Sequence, residues 1–282
     1  MTDVLLVERT DRIALVTLNR PKSRNALNVE LIGTLLDTML SLDGDDTVDV
    51  VVLTGADPAF CAGVDLAELG GNRGDDADPG GTGRGEKISS RLTRTPWPGP
   101  LPPMSKPLIG AVNGPAVTGG LELALACDFL VASERARFAD THARVGIMPG
   151  GGVTVRLVET VGLRRAKEMS ITGNFLGAEE AWRLGLVNHL VPHDELLPFT
   201  MRLAADVLGN DQAGVRRMLD TYDDVAGTTP VLAYELEQQV SIEWEGDGID
   251  RAEVARRRDA VIERGREQNA PGPDGPAAAP GI

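Results

Sequence analysis

The stretch Asn113-Gly-Pro-Ala-Val-Thr-Gly119-Gly120-Leu-Glu122, continued by Leu-Ala-Leu-Ala-Cys-Asp128, decides how this chain is read. It follows an apolar run, Leu108 to Val112, of strand character. Small residues and two adjacent glycines come next, and a glutamate stands in the first turn of the helix that this pattern predicts. Glycine lets the backbone approach a ligand closely. The first N–H groups of a helix have no intrahelical acceptor and point at whatever lies in front of them. A carboxylate one turn in reaches the same spot. This is the layout of an oxyanion hole beside an acid/base group.

A second segment has the same character. Val50-Val-Val-Leu-Thr-Gly55 reads as a buried strand and leads into Ala-Asp-Pro-Ala-Phe60-Cys61-Ala62-Gly63-Val64-Asp65-Leu66. Two strand-to-helix turns of small residues can each give one N–H to a single carbonyl oxygen.

Composition narrows the function classes. The chain has 282 residues and a net charge of −14. That balance argues against a general nucleic-acid binder. For an anionic ligand the positive charge must be local, at Lys22, Arg24 or the Arg-rich segment 251–266. Two cysteines, Cys61 and Cys127, make no disulfide framework, so a reducing, cytoplasmic setting is expected. The acidic N-terminus does not read as a signal peptide. No apolar run reaches the length of about 18 residues that suggests a membrane span, so no membrane partner is expected. His189 and His193 are separated by the helix breaker Pro192 and lack a third ligand, so no metal site is expected. The GTGRG at 81–85 neither follows a strand nor opens a helix, which argues against a dinucleotide site. No G-x-S-x-G is present, and Cys61 reads as packing.

Along the chain, Val4–Glu8 and Ile13–Leu18 read as a hairpin, and Asn28 caps a helix running to Leu42. A short helix is expected over 65–69. The stretch 70–85 reads as a loop, and Pro96 to Pro103 as a second irregular segment. Asp128–Ser133 and Leu186–Val191 read as strands. Helices are expected over 153–161, 164–172 and 178–184, with Gly162, Gly173 and Gly185 as stops, and helical pattern runs from Asp194 to about 267. Alternating strands and helices followed by helix alone imply an α/β core with a helical C-terminal region.

The ordered segments RPKSRNALN (20–28), AFCAGVDL (59–66), NGPAVTGGLELALACD (113–128) and PGGGVTVRL (149–157) resemble the enoyl-CoA hydratase/isomerase, or crotonase, family. The resemblance spans roughly residues 3 to 265. It implies a spiral core of repeated ββα units over 1–200 and a helical region over 201–267 that serves trimerisation; the tail at 268–282, rich in Pro, Gly and Ala, reads as disordered from its composition. It also implies a homotrimer or dimer of trimers. The implied substrate is an acyl-CoA thioester, with no cofactor beyond the coenzyme A of the substrate itself. The implied oxyanion donors are the N–H groups of Val64 and Gly119. Glu122 matches the first catalytic glutamate of the family's hydratases. Their second glutamate falls where this chain has His142, a departure from the family pattern. Histidine serves as acid or base near neutral pH. The alternatives are a structural His142, with Asp140 or water in its place. Lys22, Ser23, Arg24 and Ala26 match the segment around the adenine and phosphates; Ala62, Asp65 and Leu66 match the pantetheine path. The loops at 70–85 and 96–103 flank the implied acyl pocket, as surface insertions or as a lid. Pro149 to Gly152 is either a plain helix start or part of that pocket. The implied activity is hydration of a 2-enoyl-CoA. The alternatives are isomerisation or another reaction of the family, or a non-catalytic acyl-CoA binder.

Overall fold

The computed structural model describes residues 3–65, 96–246 and 251–269. The expected helix beyond Asp65, Leu66, the loop at 70–85 and the tail beyond 269 lie outside them. The hairpin forms as β1 (Leu5–Thr10) and β2 (Ile13–Leu18), paired antiparallel from Leu5 with Leu18 to Thr10 with Ile13. β3 (Val50–Gly55), β4 (Leu108–Val112), β6 (Phe129–Ser133) and β9 (His189–Val191) extend the sheet in parallel, in the order β1-β2-β3-β4-β6-β9. β3 and β4 are buried along their whole length. Both sheet faces are covered there, which is why their sequences are continuous apolar runs rather than alternating ones.

The two faces carry two cores. Val51 and Leu53 face a large cluster that includes Leu31, Leu35 and Met39 of α1 (Val29–Asp43) and Leu121 of α2 (Gly119–Leu125). Val50, Val52, Ile109 and Val131 face a second cluster with Leu196 and Ala204 of α7 (Leu196–Leu208). Asn28 caps α1 as expected, its Oδ1 accepting from the Leu31 N–H at 2.9 Å. The far end of α1 is held by Lys106, whose Nζ donates to the Leu42 and Asp45 carbonyls at 2.7 Å each. Ser105 binds Asp43 through both its amide and its hydroxyl.

A second, three-stranded sheet joins β5 (Pro115–Val117), β7 (Arg137–Ala139) and β8 (Leu176–Gly177), with β5 parallel and β8 antiparallel to β7. α3 (His142–Val145), α4 (Val153–Val161), α5 (Leu163–Thr172) and α6 (Ala178–Arg183) fill the connections. The expected glycine stops hold: Gly162, Gly173 and Gly185 all have positive φ. The expected strand at 186–191 shortens to its last three residues. The helical run after Asp194 is broken into α7, α8 (Gln212–Val225), α9 (Pro230–Gly246) and α10 (Arg251–Asn269). The chain divides into two compact units at Leu219 and Asp220, and the first holds both sheets and α1 to α7. Among the described residues no helix is long and apolar enough to cross a membrane.

Candidate active site

The two small-residue turns meet. The Cys61 N–H donates to the Pro115 carbonyl at 3.1 Å, and the Val117 N–H donates to the Cys61 carbonyl at 2.9 Å. Glycine is required where the turns touch. A Cβ on Gly120 would lie 2.0 Å from the Cys61 oxygen. Gly63 has φ +91°, and a Cβ there would lie 2.8 Å from the Val117 oxygen and 3.4 Å from the Gly119 nitrogen. A Cβ on Gly119 would lie 3.8 Å from the Val64 nitrogen, so the two expected donor amides are neighbours. Among the described residues neither amide donates to a backbone carbonyl. Gly119 opens α2, where an unused N–H is the rule. Thr118 just before it has φ 54°, ψ −113°, a region a residue with a side chain rarely visits. It is held there by its N–H on the Ala139 carbonyl at 2.8 Å and by a 2.7 Å contact between its hydroxyl and that of Thr141.

The other flank of Val64 rests on residues 20–27. The Leu27 N–H donates to the Gly63 carbonyl at 2.7 Å, the Asp65 N–H to the Leu27 carbonyl at 2.9 Å, and the Ala62 N–H to the Arg24 carbonyl at 3.0 Å. Arg20 pairs with Asp65 at 3.0 Å and donates to the Ala26 carbonyl. Asn25, fully buried, accepts from the Arg20 N–H and donates to the carbonyls of Ala56 and Ala59 at 2.8 and 2.7 Å. Asn25→Ala leaves these buried carbonyls without that donor, and each such loss costs about 1–3 kcal/mol. The expected result is a melting temperature lower by several degrees; an unchanged melt would show that the clamp is dispensable. Lys22, Ser23 and Arg24 are exposed, Ala26 is buried, and Ala62, Val64 and Asp65 are half-buried. Three arginines of α10 form ion pairs within their own helix. Arg256 and Arg257 pair with Glu253, and Arg266 with Glu263.

Glu122 lies at the fourth position of α2 and is 5% exposed. Its Oε1 accepts from the Gly151 N–H at 2.8 Å. Burial pushes its carboxyl above the usual range; attraction to His142 and the amides of Gly151 and Val153 offset this only in part. The PGGG segment thus does more than open a helix: its Gly151 amide meets Glu122. A Cβ on Gly151 would come within 2.6 Å of Glu122 Oε2, whereas its φ is not of the positive kind that only glycine favours. Gly151→Ala should therefore displace the carboxylate with little loss of stability. A displacement near 1 Å lowers turnover about 10²-fold. Steady-state rates beside a thermal melt check this; normal turnover would mean that the carboxylate position is not critical.

His142 opens α3, just after β7, and is buried. Its Nδ1 lies 2.6 Å from Oδ1 of Asp140, which also accepts from the His142 amide at 3.2 Å. Asp140 is 1% exposed. Burial alone would raise its carboxyl, but hydrogen bonds from the His142 ring, Ser170 and the His142 amide outweigh this and hold it below the usual range. His142 and Asp140 both contribute to the position of the Glu122 carboxyl, His142 drawing it down and Asp140 pushing it up. The family resemblance is what singled out Glu122 and His142 in the sequence. The Gly151 amide, the Asn25 clamp and the Arg20–Asp65 pair were not anticipated.

The other two histidines are occupied elsewhere. His193 bridges Ser133 Oγ and Asp57, each at 3.0 Å. This chain of contacts has the residue types of a hydrolase triad, but Ser133 is fully buried and accepts from the Arg135 N–H. His189 stacks at a tilt on Phe199. Burial pushes the Cys61 thiol up to about 12, which leaves it inert as a nucleophile.

Comparison with known proteins agrees with this geometry. The enoyl-CoA hydratase/isomerase family profile matches residues 8–245. The chain is 40% identical over 215 residues to a probable peroxisomal enoyl-CoA hydratase 1 of Arabidopsis thaliana, covering 75% of each chain. It is 34% identical to a crotonyl-CoA hydratase of Syntrophomonas wolfei, covering 87% of this chain and 88% of that one. A solved enoyl-CoA hydratase from Mycobacterium smegmatis superposes with a TM-score of 0.67 at 46% identity, over 86% of this chain and 95% of that one. The fold, the paired turns and these matches together place the chain in the enoyl-CoA hydratase/isomerase family.

Proposed function

We propose that the protein is an enoyl-CoA hydratase, a hydro-lyase that adds water across the double bond of a 2-enoyl-CoA thioester in the degradation of fatty or related acyl groups. The observation that carries this reading is the buried Glu122 carboxylate, held by Gly151 one turn beyond two neighbouring donor amides. The thioester carbonyl sits against the Val64 and Gly119 N–H groups. Glu122 and His142 hold a water between them. The water oxygen bonds to Cβ, and the π electron pair moves to the thioester oxygen, whose negative charge the two amides stabilise. A single donor of this kind is worth about 3–4 kcal/mol in the transition state. The water gives up a proton to one member of the pair, and a proton reaches Cα as the enolate collapses. The pair ends with the proton count it began with, so no cofactor is called for. Relatives named as enoyl-CoA and crotonyl-CoA hydratases support the reaction class.

Lys22, Ser23, Arg24 and Ala26 take the adenine and phosphates, and the exposed Lys22 and Arg24 supply local positive charge that the chain as a whole lacks. Ala62 and Asp65 lie along the pantetheine. The protein works as a homotrimer or dimer of trimers in the cytoplasm. Exposed Tyr222, Val231, Tyr234 and Ile242 in the helical unit support self-association. Light scattering after gel filtration tests this; a monomer at micromolar concentration would overturn it.

The test of function is hydration of a panel of 2-enoyl-CoA thioesters, short to bulky, followed by loss of the conjugated absorbance. Wild type, Glu122→Gln and His142→Ala are compared. Turnover that collapses in both variants supports the pair. Wild type that binds thioesters but hydrates none overturns the reading and directs attention to isomerisation, then to a binding protein.

A further inference from the structure

We propose that Asp140 is a positioning residue for His142: it keeps the proton on Nδ1 and makes Nε2 the atom that exchanges protons at the reacting centre. This rests on the hydratase reading above and deepens it. A carboxylate can only accept a hydrogen bond. The 2.6 Å contact between Asp140 and His142 Nδ1 therefore contains a proton carried by the ring. A neutral imidazole has one N–H, so Nε2 is left with its lone pair. Asp140 is not itself a substitute for the missing second carboxylate. It is 1% exposed, and its Oδ1 is occupied by the His142 ring and amide, with the Ser170 hydroxyl as a further donor. It forms a rigid seat. The Asp140 backbone continues from β7, which pairs with β5 immediately before the oxyanion turn. The residue between them in sequence, Thr141, touches the strained Thr118. The ring is thereby tied to the same framework as the donor amides. When Nε2 takes a proton, the buried carboxylate on the opposite edge pairs with the positive ring that results.

Two measurements decide the matter. The first is the ring 15N spectrum of labelled wild-type protein, with His142 assigned by its disappearance in His142→Ala. The expected result is a proton on Nδ1 at a pH where the ring is neutral, and a switch to Nε2 in Asp140→Asn, whose amide donates to Nδ1. The second is turnover of Asp140→Asn. Loss of the correct tautomer should lower kcat by about 10²-fold or more while leaving KM close to wild type. A wild-type His142 protonated on Nε2 overturns the proposal whether or not the variant folds. So does Asp140→Asn with full kcat. Full activity in His142→Ala instead overturns the role of His142 in hydration, and the tautomer measurement separates that outcome from a failure of the Asp140 assignment.

Discussion

Glu122→Gln should lose turnover by about 10³-fold, the middle of the range for removal of one acid/base group, with KM for the thioester within a few-fold of wild type. The substitution keeps the shape of the side chain and its bond to the Gly151 amide, since an amide oxygen accepts as the carboxylate does. It removes only the capacity to exchange a proton. A second signature follows from burial. The Glu122 carboxyl lies above its ordinary range in the folded chain. Between the ordinary and the raised value the folded state binds the proton that the unfolded state has released. Stability from this group is therefore complete below the ordinary value and is lost as pH rises through the raised one. Glutamine abolishes that dependence, so the variant should melt no lower than wild type on the alkaline side. A variant that turns over normally removes Glu122 from the chemistry. One that is inactive and also unstable at alkaline pH identifies a structural role instead.

Gly120→Ala should be among the most damaging small substitutions in the chain. Its Cβ would lie 2.0 Å from the Cys61 carbonyl oxygen and 2.8 Å from the Cys61 carbonyl carbon. Both partners are backbone, and both belong to the paired segments that bring the two donor amides together. Neither can turn aside as a side chain can. Overpacking in a close-packed interior costs about 1–3 kcal/mol and more where nothing yields. At the upper end this corresponds to a melting temperature lower by about 10 °C. Gly119→Ala is the control, because the atom in its way is the Leu27 Cδ1 at 3.2 Å, which moves by a small rotation. Calorimetry on the two variants compares them directly. A Gly120→Ala protein that melts with wild type would mean that the turns part easily, and the rigid-hole reading would fail with it.

Local signals in the sequence were enough for the long elements. Asn28 and the apolar spacing of Leu31, Ile32, Leu35 and Met39 mark α1 from neighbouring residues alone. The glycine pair and Glu122 mark the site, because close backbone approach and a first-turn carboxylate leave a trace in residue type. The second sheet was not legible, since strands of three, three and two residues are too short to show a period. Nor were Asn25 and Lys106, whose side-chain N–H groups donate to carbonyls 31 to 64 residues away, so that little nearby announces their burial. The breaks between the last helices were in plain view as Gly209-Asn-Asp and Gly227-Thr-Thr-Pro, but the intervening helical residues masked them. Asp140 was visible as a neighbour of His142; that it faces Nδ1 depends on the turn from β7 into α3, which spacing does not fix.

Lys106 and Ser105 fasten the run into β4 to the end of α1, and Arg20 with Leu27 fasten the run from Gly63 to Asp65 to the N-terminal segment. The turn around Val64 and the strand that leads toward Gly119 are thereby moored to the same residues, 20–45. That N-terminal segment acts as a common chassis: a change that loosens it should loosen both turns together.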